Sequence, residues 1–187
     1  MKIGKREIIL DREMSDLDKF AFGFSRAIGK ITDYVIVSGY VSILLGRSRA
    51  SEDIDMIIPK MSFAKWKSVH DRLVKNGYYS LNAADAKIAF DLLTDGIAVR
   101  FALEGVVIPN MEILFASGDI QRLALSTSIG VRVGKQYIRI SNLELQIAYK
   151  ENALGSPKDF EDAKHLRIIL GNNLNSEKLK EYKKLIK

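Results

Sequence analysis

The sequence predicts an α/β (α+β) fold: a mixed-sheet core followed by C-terminal helices. Three observations carry this. Short apolar runs rich in β-branched residues alternate with segments of helical periodicity from residue 14 onward. Tight turns at Glu104-Gly105 and Gly134-Lys135 place two hairpins late in the sheet. Beyond residue 141 every remaining segment has helical spacing.

The elements follow in order. Within 14–30, Leu17, Phe20, Ala21, Phe24 and Ile28 recur as one helical stripe. Residues 34–37 form an apolar run that meets a turn at Ser38-Gly39, and a short helix over 40–45 stops at Gly46. A polar loop, 47–52, leads into a strand over 53–58 that Pro59 closes. Ser62 suits a helix N-cap, with Phe63, Trp66, His70 and Leu73 on one face and Gly77 at the end. A further helix is expected over 82–94. Residues 97–103 and 106–108 then flank the first hairpin turn, and 111–115 form another strand. After a short helix, 131–133 and 137–140 form the second hairpin. Helices over 142–153, 158–170 and 176–186 complete the chain, with Pro157 opening the second of them.

Composition narrows the chemistry. The chain has 187 residues, enough for a core that needs no covalent staples. It has no Cys, which excludes disulfides, thiolate nucleophiles and Cys-ligated metal. Its two histidines, His70 and His165, are far apart in sequence and fall on partly apolar helix faces, so they read as packing residues. A net charge of +6 attracts phosphates, but much of the excess lies in the terminal run Lys178, Lys180, Lys183, Lys184 and Lys187, which reads as a solvated helix face. No segment has 18 consecutive apolar residues, and the first 14 residues lack a signal-peptide pattern. The expected location is cytoplasmic, with no membrane partner.

The sharpest feature is Asp53-Ile54-Asp55. On a strand, alternate side chains share a face, so both carboxylates point one way and Ile54 and Met56 the other. Two carboxylates about 6 Å apart repel by about 2–3 kcal/mol at an effective dielectric near 20. Two readings follow. Either the pair is offset by a divalent cation, with hard oxygen donors favouring Mg²⁺ or Mn²⁺, or it lies on an edge strand facing water or paired with Arg47 or Arg49. The turn at Ser38-Gly39, opening a helix some 14 residues upstream, favours the first reading, because backbone N–H groups there can hold phosphate.

The stretch Val37-Ser38-Gly39-Tyr40, Gly46 and Arg49-Ala50-Ser51-Glu52-Asp53-Ile54-Asp55 resembles the signature of the DNA polymerase β-like nucleotidyltransferase superfamily. That signature is a Gly-Gly or Gly-Ser turn followed by an R-x-[ST]-x-D-[ILV]-D strand. Within the superfamily the likeness is to the minimal prokaryotic nucleotidyltransferases, including the abortive-infection, type IV toxin-like branch. Met111-Glu112-Ile113-Leu114-Phe115 resembles the third-carboxylate strand, and residues 143–150 and 157–162 resemble the C-terminal helices with a Lys and then a K-D-x-x-D element. The sequence departs from the pattern at the turn, which reads Ser38-Gly39-Tyr40, and at the third carboxylate, Glu112 instead of Asp.

The resemblance implies a catalytic core over 1–140 with a helical segment, 141–187, packed on it. It implies metal-dependent transfer of an NMP from an NTP to an acceptor hydroxyl on RNA (tRNA included), a protein or a small molecule. Asp53, Asp55 and Glu112 would be the catalytic residues and the ligands of Mg²⁺ or Mn²⁺. Ser38, Gly39, Arg49, Ser51, Lys150 and Lys158 would bind the nucleotide. A catalytically weakened nucleotide- or RNA-binding module, or a toxin component with an antitoxin partner, are the alternatives. Other readings also stand at this point. Arg49 either contacts phosphate or pairs with Asp53 or Glu52. Arg100 either shares the Glu112 face or lies on the surface, and the second is the working expectation. Lys150 sits on the polar side of a helix whose other side carries Leu143, Ile147 and Leu154. Asp159 and Asp162 either suit the N-terminal end of their helix through its dipole or have a functional role, with equal weight.

Overall fold

The computed structural model describes residues 1–4 and 6–186 of the chain. Lys187 of the basic C-terminal run lies outside the described residues. In chain order the strands are β1 (Lys2–Ile3), β2 (Glu7–Leu10), β3 (Val35–Val37), β4 (Asp53–Ile58), β5 (Tyr78–Ser80), β6 (Val99–Leu103), β7 (Asn110–Phe115), β8 (Ile129–Val133) and β9 (Gln136–Ile140). The helices are α1 (Asp16–Ile28), α2 (Gly39–Leu44), α3 (Phe63–Lys75), α4 (Ala86–Thr94), α5 (Asp119–Ser126), α6 (Leu143–Tyr149), α7 (Pro157–Leu170) and α8 (Ser176–Leu185). The strands form one mixed sheet in the order β1-β2-β8-β9-β3-β4-β7-β6-β5.

The expected α/β class holds, and β4 is an interior strand. It pairs antiparallel with β3 and parallel with β7, which overturns the edge-strand reading of Asp53 and Asp55. One face of β4 and β7 carries Ile54, Met56, Ile58, Met111, Ile113 and Phe115, all buried. Helices α1, α3 and α4 cover it, with Phe24 and Trp66 against Phe101 and Trp66 and Phe90 against Phe115. Fully burying side chains of this size contributes about 1.5–3 kcal/mol each. Four such residues on β4 alone (Ile54, Met56, Ile57 and Ile58) outweigh the repulsion of about 2–3 kcal/mol between its two carboxylates. A charged pair can therefore sit on a central strand.

Four departures from the expected elements have physical causes. The first ten residues supply β1 and β2; Glu7–Leu10 alternates in burial and adds in parallel to β8. The helix expected from residue 82 starts at Ala86, because Asp85 caps it through Lys87 and Ile88 N–H, and Tyr78–Ser80 has already joined the sheet against β6. The partner of β6 in its hairpin is β7; Val106–Ile108 belong to the connecting loop and are exposed. The helix expected over 142–153 continues as a π-helical turn, Lys150–Leu154, which ends at Gly155 with φ 66°.

The C-terminal helices pack on one another, α6 against both α7 and α8. Leu179 and Tyr182 of α8 are buried while Lys180 and Lys184 are exposed, and Lys183 pairs with Glu151. Helix α7 packs against α2, and α5 lies against β3 and β4 on the second face of the sheet. Among the described residues, no helix is long and apolar enough to cross a membrane.

Candidate active site

Sheet register builds the site. Val37, Asp55, Glu112 and Arg100 stand side by side across β3, β4, β7 and β6. Asp53 lies two residues before Asp55 on the same face and is aligned with Asn110. The three sequence-predicted acids therefore share one face of two adjacent strands. Each is restrained differently. Asn110 Nδ2 donates to Asp53 Oδ1 at 2.7 Å. Arg100 Nε lies 2.9 Å from Glu112 Oε1. Asp55 is beside the turn after β3.

That turn is strained. Ser38 has φ 63° and ψ −137°, a conformation that non-glycine residues rarely adopt, and strain of this kind costs about 1–3 kcal/mol. The turn is held in place by a bond from Ser38 N–H to Gln146 Oε1 of α6, 3.0 Å long. Gly39 opens α2 and is buried against the Arg49 guanidinium: a Cβ there would stand 3.0 Å from Nη2.

The electrostatics show an excess of negative charge. Burial raises the Asp55 carboxyl above its ordinary value; the Ser38 hydroxyl opposes this by hydrogen bonding and Asp53 adds to it. Burial also raises Glu112, as does the Asp55 charge, while Arg100 opposes. Such a donor set fits a hard divalent cation in chemistry. Among the described residues, however, no group of three or more His, Cys, Asp or Glu stands ready to hold a metal ion. Glu112 is engaged by Arg100 and does not close over the aspartates. Arg100 shares the Glu112 face and is exposed there.

Ser51 donates from Oγ to the Asp53 carbonyl at 3.0 Å and so orders the loop. Arg49, expected either on phosphate or on Asp53 or Glu52, instead donates to Asp162 Oδ2 at 2.8 Å. Arg47 binds Oδ1 of the same carboxylate. Lys150 is buried, not on a solvated helix face, and reaches Asp162 at 2.8 Å and Asp159 at 3.3 Å. Burial pulls its ammonium below the ordinary lysine value, against the attraction of Asp159. Lys158 is exposed; its carbonyl accepts from Arg47 at 3.2 Å, and among the described residues its ammonium joins no ion pair.

Asn110 and Gln146 are the site residues to which the sequence assigns no role. Asn110-Met111-Glu112 repeats the spacing of Asp53-Ile54-Asp55, a signal that becomes readable once β4 and β7 are known to pair in register. For Asp162 the sequence leaves the helix dipole and a functional role equally open; the structure buries it fully among three cations. Beside Ser38 and Asp55 lies a cleft of about 530 Å³, lined on its apolar side by Leu114, Ile120, Leu145 and Tyr149.

No family model and no curated protein matches the chain. Among solved structures, an antigenic nucleotidyltransferase-like protein from Paracoccidioides brasiliensis superposes with a TM-score of 0.54 at 15% identity, over 87% of this chain and 83% of that one. The solution structure of the antibiotic-resistance factor ANT(2″)-Ia superposes with a TM-score of 0.50 at 12% identity, over 88% of this chain and 86% of the other. At these identities what is shared is the fold, and the chain has the fold of these two proteins.

Proposed function

We propose that the protein transfers a nucleotidyl group from an NTP to an acceptor hydroxyl. The observation that carries this reading is the register itself: Asp55 and Glu112 side by side on neighbouring strands, Asp53 on the same face, and the Ser38-Gly39 turn next to Asp55. The cleft beside them is of a size that takes a nucleoside. The shared fold supports the same chemistry.

In this reading the turn, whose Ser38 N–H is taken by Gln146, places its remaining backbone N–H groups against the phosphate chain. Asp53 and Asp55 would hold Mg²⁺ or Mn²⁺, which would supply charge neutralisation at the transferring phosphate. The acceptor oxygen forms its bond to the α-phosphorus, and the bond from that phosphorus to the β-phosphate oxygen breaks. Pyrophosphate leaves, and the acceptor's proton passes to Glu112 or to water held by it. Asn110 fixes the Asp53 carboxylate, so less reorganisation is needed on binding. The acceptor stays open among RNA, protein and small molecules.

The test compares nucleotide binding with Mg²⁺ or Mn²⁺ in the wild type and the Asp53→Ala/Asp55→Ala variant. Loss of cation-dependent binding in the variant supports the site; unchanged binding removes it. A second reading, a nucleotide-binding module without turnover, is favoured by one observation: Glu112 is already paired with Arg100. Pyrophosphate release across the four NTPs, with tRNA, protein and small-molecule acceptors, separates the two.

A further inference from the structure

Arg100 and Glu112 face each other directly across β6 and β7, and the sheet fixes that juxtaposition. Their neighbours Val99, Phe101, Met111 and Ile113 are fully buried, so the strands cannot slip to part them. The Arg100 backbone is pinned as well, its N–H donating to Asn82 Oδ1 at 2.9 Å. The side chains are not locked: Arg100 is 55% exposed and Glu112 23%. An ion pair this open holds its partners only weakly. Arg100 engages Glu112 at 2.9 Å, yet a pair this weak can yield to the attraction of a divalent cation for carboxylates.

We propose that Arg100 is an exchangeable counter-ion for Glu112, holding it in the resting site and ceding it when a divalent cation binds at Asp53 and Asp55. Cation entry and Arg100 release are then one exchange. This rests on the proposed function, because it needs the aspartate pair to bind a cation. It also explains why three acids on one face do not form a ready metal site. Arg100 acts here as a positioning residue, through Glu112.

The experiment is Mn²⁺ titration of the full chain, followed by electron paramagnetic resonance without nucleotide. Five forms are compared: wild type, Arg100→Ala, Glu112→Gln, the double variant of these two, and Asp53→Ala/Asp55→Ala. Arg100→Ala should bind Mn²⁺ about three- to fivefold more tightly than wild type, the range open to a half-exposed pair. The gain should vanish when Arg100→Ala is made in the Glu112→Gln background, since no carboxylate is left to release. A gain that persists there means Arg100 acts only as a nearby positive charge, and it overturns the exchange. Equal affinity of Arg100→Ala and wild type overturns it too. In both cases the proposed function survives if Asp53→Ala/Asp55→Ala loses Mn²⁺ binding. Mn²⁺ binding that is absent from wild type, or untouched in that aspartate variant, overturns both.

Discussion

Lys150 Nζ stands 2.8 Å from Asp162 Oδ2, with side-chain exposures of 1% and 0%. The same carboxylate accepts from Arg47 and Arg49, so one buried acid joins the loop after α2, the end of α6 and the first turns of α7. The cluster ties the C-terminal helices to the loop that leads into β4.

The tie is asymmetric, and that gives the first prediction. Asp162→Ala leaves three cations around a site they can no longer neutralise, and removing one partner of a buried pair costs about 3–5 kcal/mol. Lys150→Met keeps the packing of the lysine stem and leaves Asp162 with two arginines, so it should cost less than about 2 kcal/mol. Urea unfolding of both variants checks this. Equal losses would show that Asp162 is not the hub.

Ser38 gives the second prediction. Its φ of 63° is one that glycine adopts freely, and relief of strain should exceed the extra chain entropy of glycine in the unfolded state. Ser38→Gly should therefore stabilise the protein by about 1 kcal/mol, a rise in Tm of about 2–4 °C at this chain length. Ser38→Ala keeps the Cβ and should bring no gain. A melting curve in which Ala matches Gly would place the effect on the hydroxyl instead of the backbone.

How far the sequence reached depends on the range of the information. The Asp53-Ile54-Asp55 alternation is local, and the two carboxylates share a face as their spacing requires. Trp66 and Leu73 are buried as the helical stripe over 63–75 predicts. Tyr78–Ser80 was missed because three residues carry too little periodicity to announce a strand, and its place against β6 comes from tertiary pairing. Arg47, Arg49 and Lys150 were each readable as charged residues with local partners. Their common partner lies 12 to 115 residues away on α7, a distance no local pattern spans. The face of Arg100 stayed open because the alternation of β6 fixes which residues share a face, not which face meets Glu112.

Asp18 gives the third prediction, on acid stability. Its side chain is 1% exposed and accepts from Arg12 Nη1 at 2.6 Å, Tyr40 Oη at 2.7 Å and Ser15 N–H at 2.8 Å. Burial alone would raise its carboxyl, but Arg12, Tyr40 and Ser15 together hold it below the ordinary value. The folded form is thus the stronger acid. Stability from Asp18 is fully present above the unfolded value of about 3.9 and is lost as pH falls from there through the folded value. Asp18→Asn should cost about 3 kcal/mol at pH 7 and show a shallower fall in stability below about pH 4. Parallel acid profiles for the two proteins would contradict this.

Gly39 and Arg49 give the last prediction. A Cβ on residue 39 would meet Arg49 Nη2 at 3.0 Å and its Cζ and Nη1 at 3.2 Å. A free arginine would swing aside, but this one is anchored on Asp162, so the clash must break that pair or shift α2. Gly39→Ala should therefore destabilise by about 1–3 kcal/mol, as overpacking does. In an Arg49→Ala background the obstacle is gone, and alanine in the first turn of α2 should be neutral or slightly favourable through helix propensity. The double-mutant cycle should thus show a coupling of at least about 1 kcal/mol. Additive effects would mean that Gly39 is required for a close approach other than that of Arg49.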